Sequence, residues 1–213
     1  MELPELQEAF PWIDFGSVYK PRYNIAPSQE IMAVPGITNN LIAWFRWGLI
    51  PSWAKDSKIG YKMINARGET VAEKPSFRNA FRNRRCLIPT DGFYEWKKEG
   101  DSKTPYCIRM KSAQPFFFAG LWEQWQSAEE PVFSCSIITT EANETLKPIH
   151  HRMPVILNPS DYQSWLDPEY HDEKHLSKLL VPYLAKEMTA FPISRQINNP
   201  RNEGPDCVVP QAG

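Results

Sequence analysis

Long apolar runs are absent from this sequence of 213 residues. No stretch approaches the roughly 18 apolar residues that a membrane-spanning helix needs. Residues 1–5 also lack the basic region and apolar stretch of a secretory signal. We therefore expect a cytoplasmic protein without a membrane partner.

Cysteine is scarce, and its spacing is uninformative for metal binding. The four cysteines are Cys86, Cys107, Cys135 and Cys207. None forms a Cys-x-x-Cys pair, and the first three lie in apolar, strand-like runs, so we predict buried free thiols rather than disulfides or a zinc site.

Histidine offers no better metal site. His150 and His151 are adjacent, and in an extended segment such neighbours point apart, which makes a poor chelate. His171 and His175 are four residues apart, but Asp172 stands where the zinc-protease motif requires glutamate. We predict neither a metal nor a cofactor.

The net charge of −1 argues against a general polyanion binder, but the charge is unevenly distributed. Residues 44–98 hold twelve Lys/Arg against five Asp/Glu, a local charge of +7, whereas residues 1–43 carry −3 and residues 99–213 carry −5. The same basic stretch contains many aromatic residues. Basic and aromatic side chains together suit phosphates and stacked bases, although core aromatics with solvated lysines explain the pattern too.

The hydrophobic pattern predicts an α+β fold. Runs rich in β-branched and aromatic residues, separated by short turns, predict strands at residues 31–34, 41–47, 85–88, 93–96, 106–110, 116–122 and 132–139. Helical spacing predicts an opening helix at residues 3–10 and later helices at 159–166 and 173–181, with short helices in 69–82. We expect a largely antiparallel, barrel-like β-sheet with a few peripheral helices, forming a single domain over residues 1–213 and a monomer.

Residues 63–70 combine the end of an apolar strand with several polar groups. Glu69 can serve the start of the following helix. Asn65 and Arg67 are two residues apart, so on a strand their side chains project together. An amide beside a guanidinium suits a phosphate or sugar oxygen.

Residues 89–98 form a turn that leads into a strand, with Glu95 flanked by aromatic residues. Burial among aromatic rings raises the pKa of a carboxyl group, so that it can deliver a proton near neutral pH. The alternative is a surface ion pair between Glu95 and Lys97 or Lys98.

A third polar motif joins Thr139-Thr140 to residues 148–157. There His150, His151 and Arg152 directly precede an apolar strand. One imidazole is expected to be solvated, and the other can carry a proton.

These stretches together resemble the SOS response-associated peptidase family. Similar motifs occur in the family's order: RYNIAP at 22–27, WGLIPSW at 47–53, INAR at 64–67, FYEW at 93–96, ITT at 138–140 and IHHRMP at 149–154. The resemblance extends almost to the C-terminus and implies strands around a channel for single-stranded DNA, with the active site at its floor.

The resemblance also implies residue roles. Asn65 would position a terminal amine and the sugar, Glu95 would act as acid and base, and His150 would assist opening of the deoxyribose ring. The remaining implied contacts are to DNA: phosphate or sugar oxygens for Arg67, Thr139 and Arg152, and a wedge or stacking platform for Trp53.

One departure from the family concerns its covalent chemistry. Family members begin Met-Cys-Gly-Arg-Phe, and removal of methionine leaves a terminal cysteine whose amine and thiol form a thiazolidine with the aldehyde of an abasic site. This sequence begins Met1-Glu2-Leu3. We expect it to be truncated or read from a later start, and to bind DNA without crosslinking.

The sequence is therefore compatible with three functions. The resemblance favours processing of abasic sites in single-stranded DNA, covalent when the cysteine is present. The alternatives are a non-covalent binding module for single-stranded or junction DNA, and a peptidase or small-amide hydrolase using Glu95 and His150.

Overall fold

The computed structural model describes residues 1–16, 19–36, 41–127 and 130–211. The strands are β1 (Glu30–Pro35), β2 (Ala43–Trp47), β3 (Asn65–Arg67), β4 (Arg85–Thr90), β5 (Phe93–Glu99), β6 (Ser102–Met110), β7 (Phe116–Trp125), β8 (Val132–Glu141), β9 (Arg152–Pro154) and β10 (Met188–Pro192). The α-helices are α1 (Leu3–Ala9), α2 (Arg78–Asn83), α3 (Tyr162–Leu166) and α4 (Glu173–Lys178). Several 3-10 turns join them, including Ser57–Lys62 and Gly68–Thr70.

Five strands close into a barrel-like sheet. The order β2-β1-β4-β7-β8 is antiparallel throughout, and a parallel pairing of β2 with β8 closes the ring. Closure leaves these strands without a long unpaired edge.

The second half of β8 extends beyond the ring and organises the site. β3 continues parallel along the edge that β2 occupies, with Arg67 opposite Thr139. β9 pairs antiparallel with the same part of β8, with Pro154 opposite Thr139. Thr139 therefore lies between the strand that carries Asn65 and the strand that carries Arg152.

A smaller antiparallel sheet has the order β10-β6-β5. It places Glu95 in β5, an edge strand, opposite Tyr106 in β6. Phe93 of this sheet packs edge to face on Phe118 of the barrel, with ring centroids 5.6 Å apart. The two sheets thus share a hydrophobic core.

The helices cover one side of the barrel. α1 has a capping box between Glu2 and Glu5 and buries Leu6 in a cluster with Phe81, Phe117 and Trp165. The buried guanidinium of Arg85 in β4 donates to backbone carbonyl oxygens of residues 81–82 and 165–170, so it ties α2 and α3 to the barrel.

The α+β class and the largely antiparallel, barrel-like sheet are confirmed. The opening helix, the helix near residue 160 and the seven strand regions occur where they were expected. The sequence pattern did not predict β10 or the parallel pairings of β8 with β2 and β3.

All four cysteines are free and buried, as predicted. Among the described residues, no helix is long and apolar enough to cross a bilayer.

Candidate functional site

A cavity of about 740 Å³ opens between the extended end of β8 and the smaller sheet. Of the seven predicted site residues, every one except Trp53 contributes to its lining. The structure therefore brings together the three motifs that lie around residues 65, 95 and 150.

Asn65 and Arg67 are exposed on β3, on either side of the buried Ala66. The strand is fixed at its start, because the indole Nε1 of Trp47 donates to the carbonyl oxygen of Ile64 at 2.8 Å. Within the described residues, neither the Asn65 amide nor the Arg67 guanidinium has a hydrogen-bond partner or an ion pair. Their polar groups are therefore available to a ligand in the cavity.

Glu95 faces His150, whose Nδ1 lies 3.5 Å from the carboxylate Oε1. Burial raises the pKa of Glu95; the nearby imidazole and the backbone N–H of Trp96 oppose that rise. Lys97 pairs with Glu99 at 3.0 Å, and within the described residues neither Lys97 nor Lys98 forms an ion pair with Glu95, so the predicted alternative of a surface pair is wrong. A partly buried carboxyl with a raised pKa is suited to proton transfer.

The backbone of Arg152 orients the His150 ring. His150 Nδ1 lies 3.1 Å from the Arg152 carbonyl oxygen and 3.3 Å from its backbone nitrogen. With its proton on Nδ1, the imidazole donates to that carbonyl oxygen, and Nε2 is left to accept a proton from a ligand.

His150 and His151 do not point apart as expected, since their ring centroids lie 4.5 Å from each other. The preceding residues form a hydrogen-bonded turn that ends at His150, so the segment is not extended there.

Arg152 is held by Glu69 instead of remaining free. Its Nη1 and Nη2 donate to the two carboxylate oxygens of Glu69 at 2.6 and 2.9 Å, and Nη2 also donates to the Thr139 carbonyl oxygen at 2.6 Å. The hydrogen bond from Arg152 is the main reason why the pKa of Glu69 is lowered. Glu69 also lies in the first turn of the 3-10 helix Gly68–Thr70, as expected, and its ionic partner lies 83 residues away in sequence.

The other side of the cavity has a charged pair that the sequence did not indicate. Arg109 Nη2 donates to Asp91 Oδ2 at 3.2 Å, and the same oxygen lies 3.6 Å from the α-amine of Met1. Gly92 permits this arrangement, because a Cβ there would lie 2.8 Å from Arg109 Cγ and from the Ile108 carbonyl oxygen. Alternation along β6 predicts that Cys107 and Arg109 lie on one face of the strand, but it does not predict that this face lines a cavity.

Aromatic residues occupy the cavity wall and its surroundings. Trp44, Trp47, Tyr94 and Trp96 are among the lining residues. Trp53 lies outside the lining, with 58% of its surface exposed. Its loop is anchored to the barrel, since Trp125 Nε1 donates to the Ala54 carbonyl oxygen at 2.7 Å.

No group of three or more His, Cys, Asp or Glu side chains is arranged to hold a metal ion in the part of the chain described. The polar groups that line the cavity include amides, carboxyl groups, an imidazole and guanidinium groups. Such a set can move protons and bind an oxygen-rich or anionic ligand.

Comparison with known proteins identifies relatives over most of the chain. The family model for SOS response associated peptidase (SRAP) matches residues 2–200. The abasic site processing protein YoqW of Bacillus subtilis (strain 168) is 49% identical over 193 residues, covering 89% of this chain and 86% of the relative. The abasic site processing protein HMCES of Gallus gallus is 30% identical over 233 residues, covering 93% of this chain and 68% of the relative.

Solved structures agree with the sequence relationship. A crystal structure of a protein from Bacteroides thetaiotaomicron superposes with a TM-score of 0.78 at 31% identity, covering 96% of this chain and 84% of that chain. The matched family model, these relatives and the shared fold lead to one assignment: the chain belongs to the SOS response associated peptidase family.

Proposed function

We propose that the cavity binds an abasic site in single-stranded DNA. The observation that carries the proposal is the convergence of Asn65, Glu95 and His150 in one cavity beside the unpaired Arg67. The names of the relatives, abasic site processing proteins, agree with this substrate.

Each polar group has a role in this proposal. The Asn65 amide holds the sugar, the Glu95 carboxyl group gives and takes a proton, and His150 assists opening of the deoxyribose ring to its aldehyde. Arg67 contacts a phosphate oxygen. Thr139 and Arg152, which were expected to hold phosphate or sugar oxygens, have positioning roles in this proposal. Thr139 is 7% exposed and orders this end of β8, and Arg152, whose charge Glu69 balances, fixes Thr139 and the His150 segment.

Trp53 is the proposed contact where the strand leaves the cavity. Its exposed ring can stack on a base or separate two bases, since every base presents a π face.

A covalent step requires an N-terminal cysteine. Its α-amine would condense with the abasic aldehyde, releasing water and forming an imine. The thiol would then add to the imine carbon, closing a five-membered thiazolidine while the thiol proton passes to nitrogen. Glu95 or His150 can carry protons in both steps. Cys86, Cys107, Cys135 and Cys207 are all internal, so none of them has the free α-amine that this ring closure needs.

Amide hydrolysis is less well supported by the same cavity. Cys107 lines the cavity, but burial raises its pKa to about 11, so little thiolate exists at neutral pH. Amide hydrolysis in this cavity would therefore depend on a water molecule activated by Glu95 or His150.

Abasic oligonucleotides test the proposed function. Binding of the chain to single-stranded DNA with one abasic site should exceed binding to the same strand with an intact nucleotide, measured by fluorescence anisotropy. A variant preceded by Cys-Gly-Arg-Phe should give a shifted band on a denaturing gel with the abasic strand, and Ala-Gly-Arg-Phe should not. Equal binding of the abasic and intact strands would contradict the proposal, and the absence of a shifted band would contradict the covalent step. Peptide turnover that Glu95→Ala abolishes would favour the hydrolase instead.

We also propose a cytoplasmic monomer organised as a single domain. The four buried free thiols suit a reducing compartment. Sedimentation equilibrium tests the oligomeric state.

A further inference from the structure

A second, shallower groove of about 510 Å³ adjoins the cavity, and Trp44 lines both. Arg46 is two residues further along β2, on the same strand face, and also lines this groove. Its guanidinium carbon lies 5.3 Å from the ring centroid of Tyr61. Trp44 thus lines both the cavity and the groove, Arg46 lines the groove, and Tyr61 lies against Arg46; these three residues are here named the outer platform.

The outer platform presents aromatic surface to solvent. Tyr61 is 59% exposed and Trp44 is 41% exposed. A guanidinium above the Tyr61 ring gains cation–π attraction and covers part of one face. The rest of the ring is free to stack on a flat ligand.

The backbone under Tyr61 is firmly fixed. Asp56 caps the turn at Ser57–Lys62, accepting from the backbone nitrogen of Lys58 at 2.9 Å. Gly60 packs against Gly48 so closely that a Cβ at Gly60 would lie 2.7 Å from the Gly48 carbonyl oxygen. Because the turn leads directly into β3, Tyr61 has a fixed position relative to Asn65.

Positive charge flanks the aromatic ring. Lys58 and Lys62 belong to the same turn as Tyr61, and neither they nor Arg46 form an ion pair with any residue that the structure describes. Glu30 and Glu130 also line the groove, and their carboxylates disfavour phosphate there. This distribution favours bases on the outer platform and phosphates near the two lysines.

We propose that the outer platform binds unpaired bases of the DNA strand next to the nucleotide in the cavity, while Lys58 and Lys62 neutralise its phosphates. The inference rests on the proposed function and adds the path of the flanking strand. A single strand is required, because stacking on Tyr61 needs a base that is not paired.

The test compares two DNA lengths, each with one central abasic site: a trinucleotide and an 11-mer. Tyr61→Ala should weaken binding of the 11-mer by about fivefold or more, the loss expected for one base–aromatic stack. It should leave trinucleotide binding within about twofold of wild type, because the cavity contacts are unchanged. Isothermal titration calorimetry can measure both.

Conservative and distant variants separate stacking and charge from folding. Tyr61→Phe keeps the ring and should bind the 11-mer like wild type. Lys58→Ala/Lys62→Ala should reduce the salt dependence of 11-mer binding, with the slope of log K against log salt falling in magnitude by about 1.4, or about 0.7 for each phosphate contact. The matched control is Lys174→Ala/Lys178→Ala, which removes two exposed lysines of α4 outside the cavity and groove and should leave that slope unchanged.

The outcomes distinguish the two proposals. Unchanged 11-mer binding by Tyr61→Ala, or equal losses on both lengths, would overturn the outer platform while leaving abasic-site binding in place. The same holds if Tyr61→Phe loses as much as Tyr61→Ala. A wild-type chain that prefers neither abasic strand over its intact counterpart would instead overturn the proposed function.

Discussion

β3 and β9 flank the same part of β8, and each carries an arginine in the cavity lining, but the two guanidinium groups differ in exposure and in hydrogen bonding. Arg67 is exposed and has no partner among the described residues. Arg152 has 18% of its side chain exposed and gives its terminal N–H groups to Glu69 and Thr139. The difference indicates that residue type and neighbouring motif do not by themselves identify a ligand contact, because the hydrogen-bonding capacity of a side chain can already be used within the fold.

The largest expected effect is on stability, from loss of the clamped arginine. Arg152→Ala removes a bidentate ion pair and a hydrogen bond to a backbone carbonyl, and should lower the free energy of unfolding by about 2 kcal/mol. Arg67→Ala should change it by less than about 0.5 kcal/mol, because no contact is lost. Urea denaturation measures both free energies of unfolding. Similar values for the two variants would contradict the proposed difference between the two arginines.

The next largest effect is on DNA affinity, where the loss should be greater for Arg67→Ala than for Arg152→Ala. Arg67→Ala should weaken binding of an abasic single strand by about tenfold and reduce the magnitude of the salt slope by about 0.7, because one phosphate contact disappears. The matched control is Arg78→Ala, which removes an exposed arginine of α2 outside the cavity lining. If both variants bind like wild type, Arg67 does not contact DNA.

Glu69→Gln tests the ion pair separately from the arginine, because it removes the negative charge opposite Arg152 and keeps the arginine itself. The free energy of unfolding should fall by about 1 kcal/mol, less than for Arg152→Ala, since a neutral amide can still accept one of the hydrogen bonds. A double-mutant cycle with Arg152→Ala measures the coupling. Strictly additive losses would show that the observed pair contributes nothing to stability.

The smallest effect is the pH dependence at Glu95. Its pKa is raised mainly by burial, so the folded state favours the protonated form, and the charged form costs stability as pH rises through the folded pKa. Glu95→Gln should therefore raise the melting temperature more at pH 8 than at pH 4. Thermal unfolding followed by circular dichroism checks this, and an equal change at both pH values would contradict a raised pKa.

Local sequence predicted those features of the site that depend on local geometry. Alternation along a strand correctly placed Asn65 and Arg67 on one face, and aromatic neighbours indicated that Glu95 would be partly buried. Hydrophobic period and turn residues located most strands and helices for the same reason.

Contacts between distant segments could not be predicted this way. Nothing near Glu69 indicates Arg152 as its partner, since only the parallel and antiparallel pairing of β3 and β9 with β8 brings them together. Asp91 and Arg109 face the cavity for a similar reason, through the register of β5 and β6. The two neighbouring histidines were misjudged because a turn replaces the extended segment assumed for them.

Chemical-shift mapping with an abasic single strand tests the central claim most directly. With the side-chain amides of Asn and the imidazoles of His observed by NMR, titration with the abasic strand should shift Asn65 and His150 strongly. The same strand with an intact nucleotide should shift them less, and His171 and His175, which lie outside the cavity lining, should not respond to either. Equal shifts with both strands, or shifts confined to residues outside the cavity, would contradict the account.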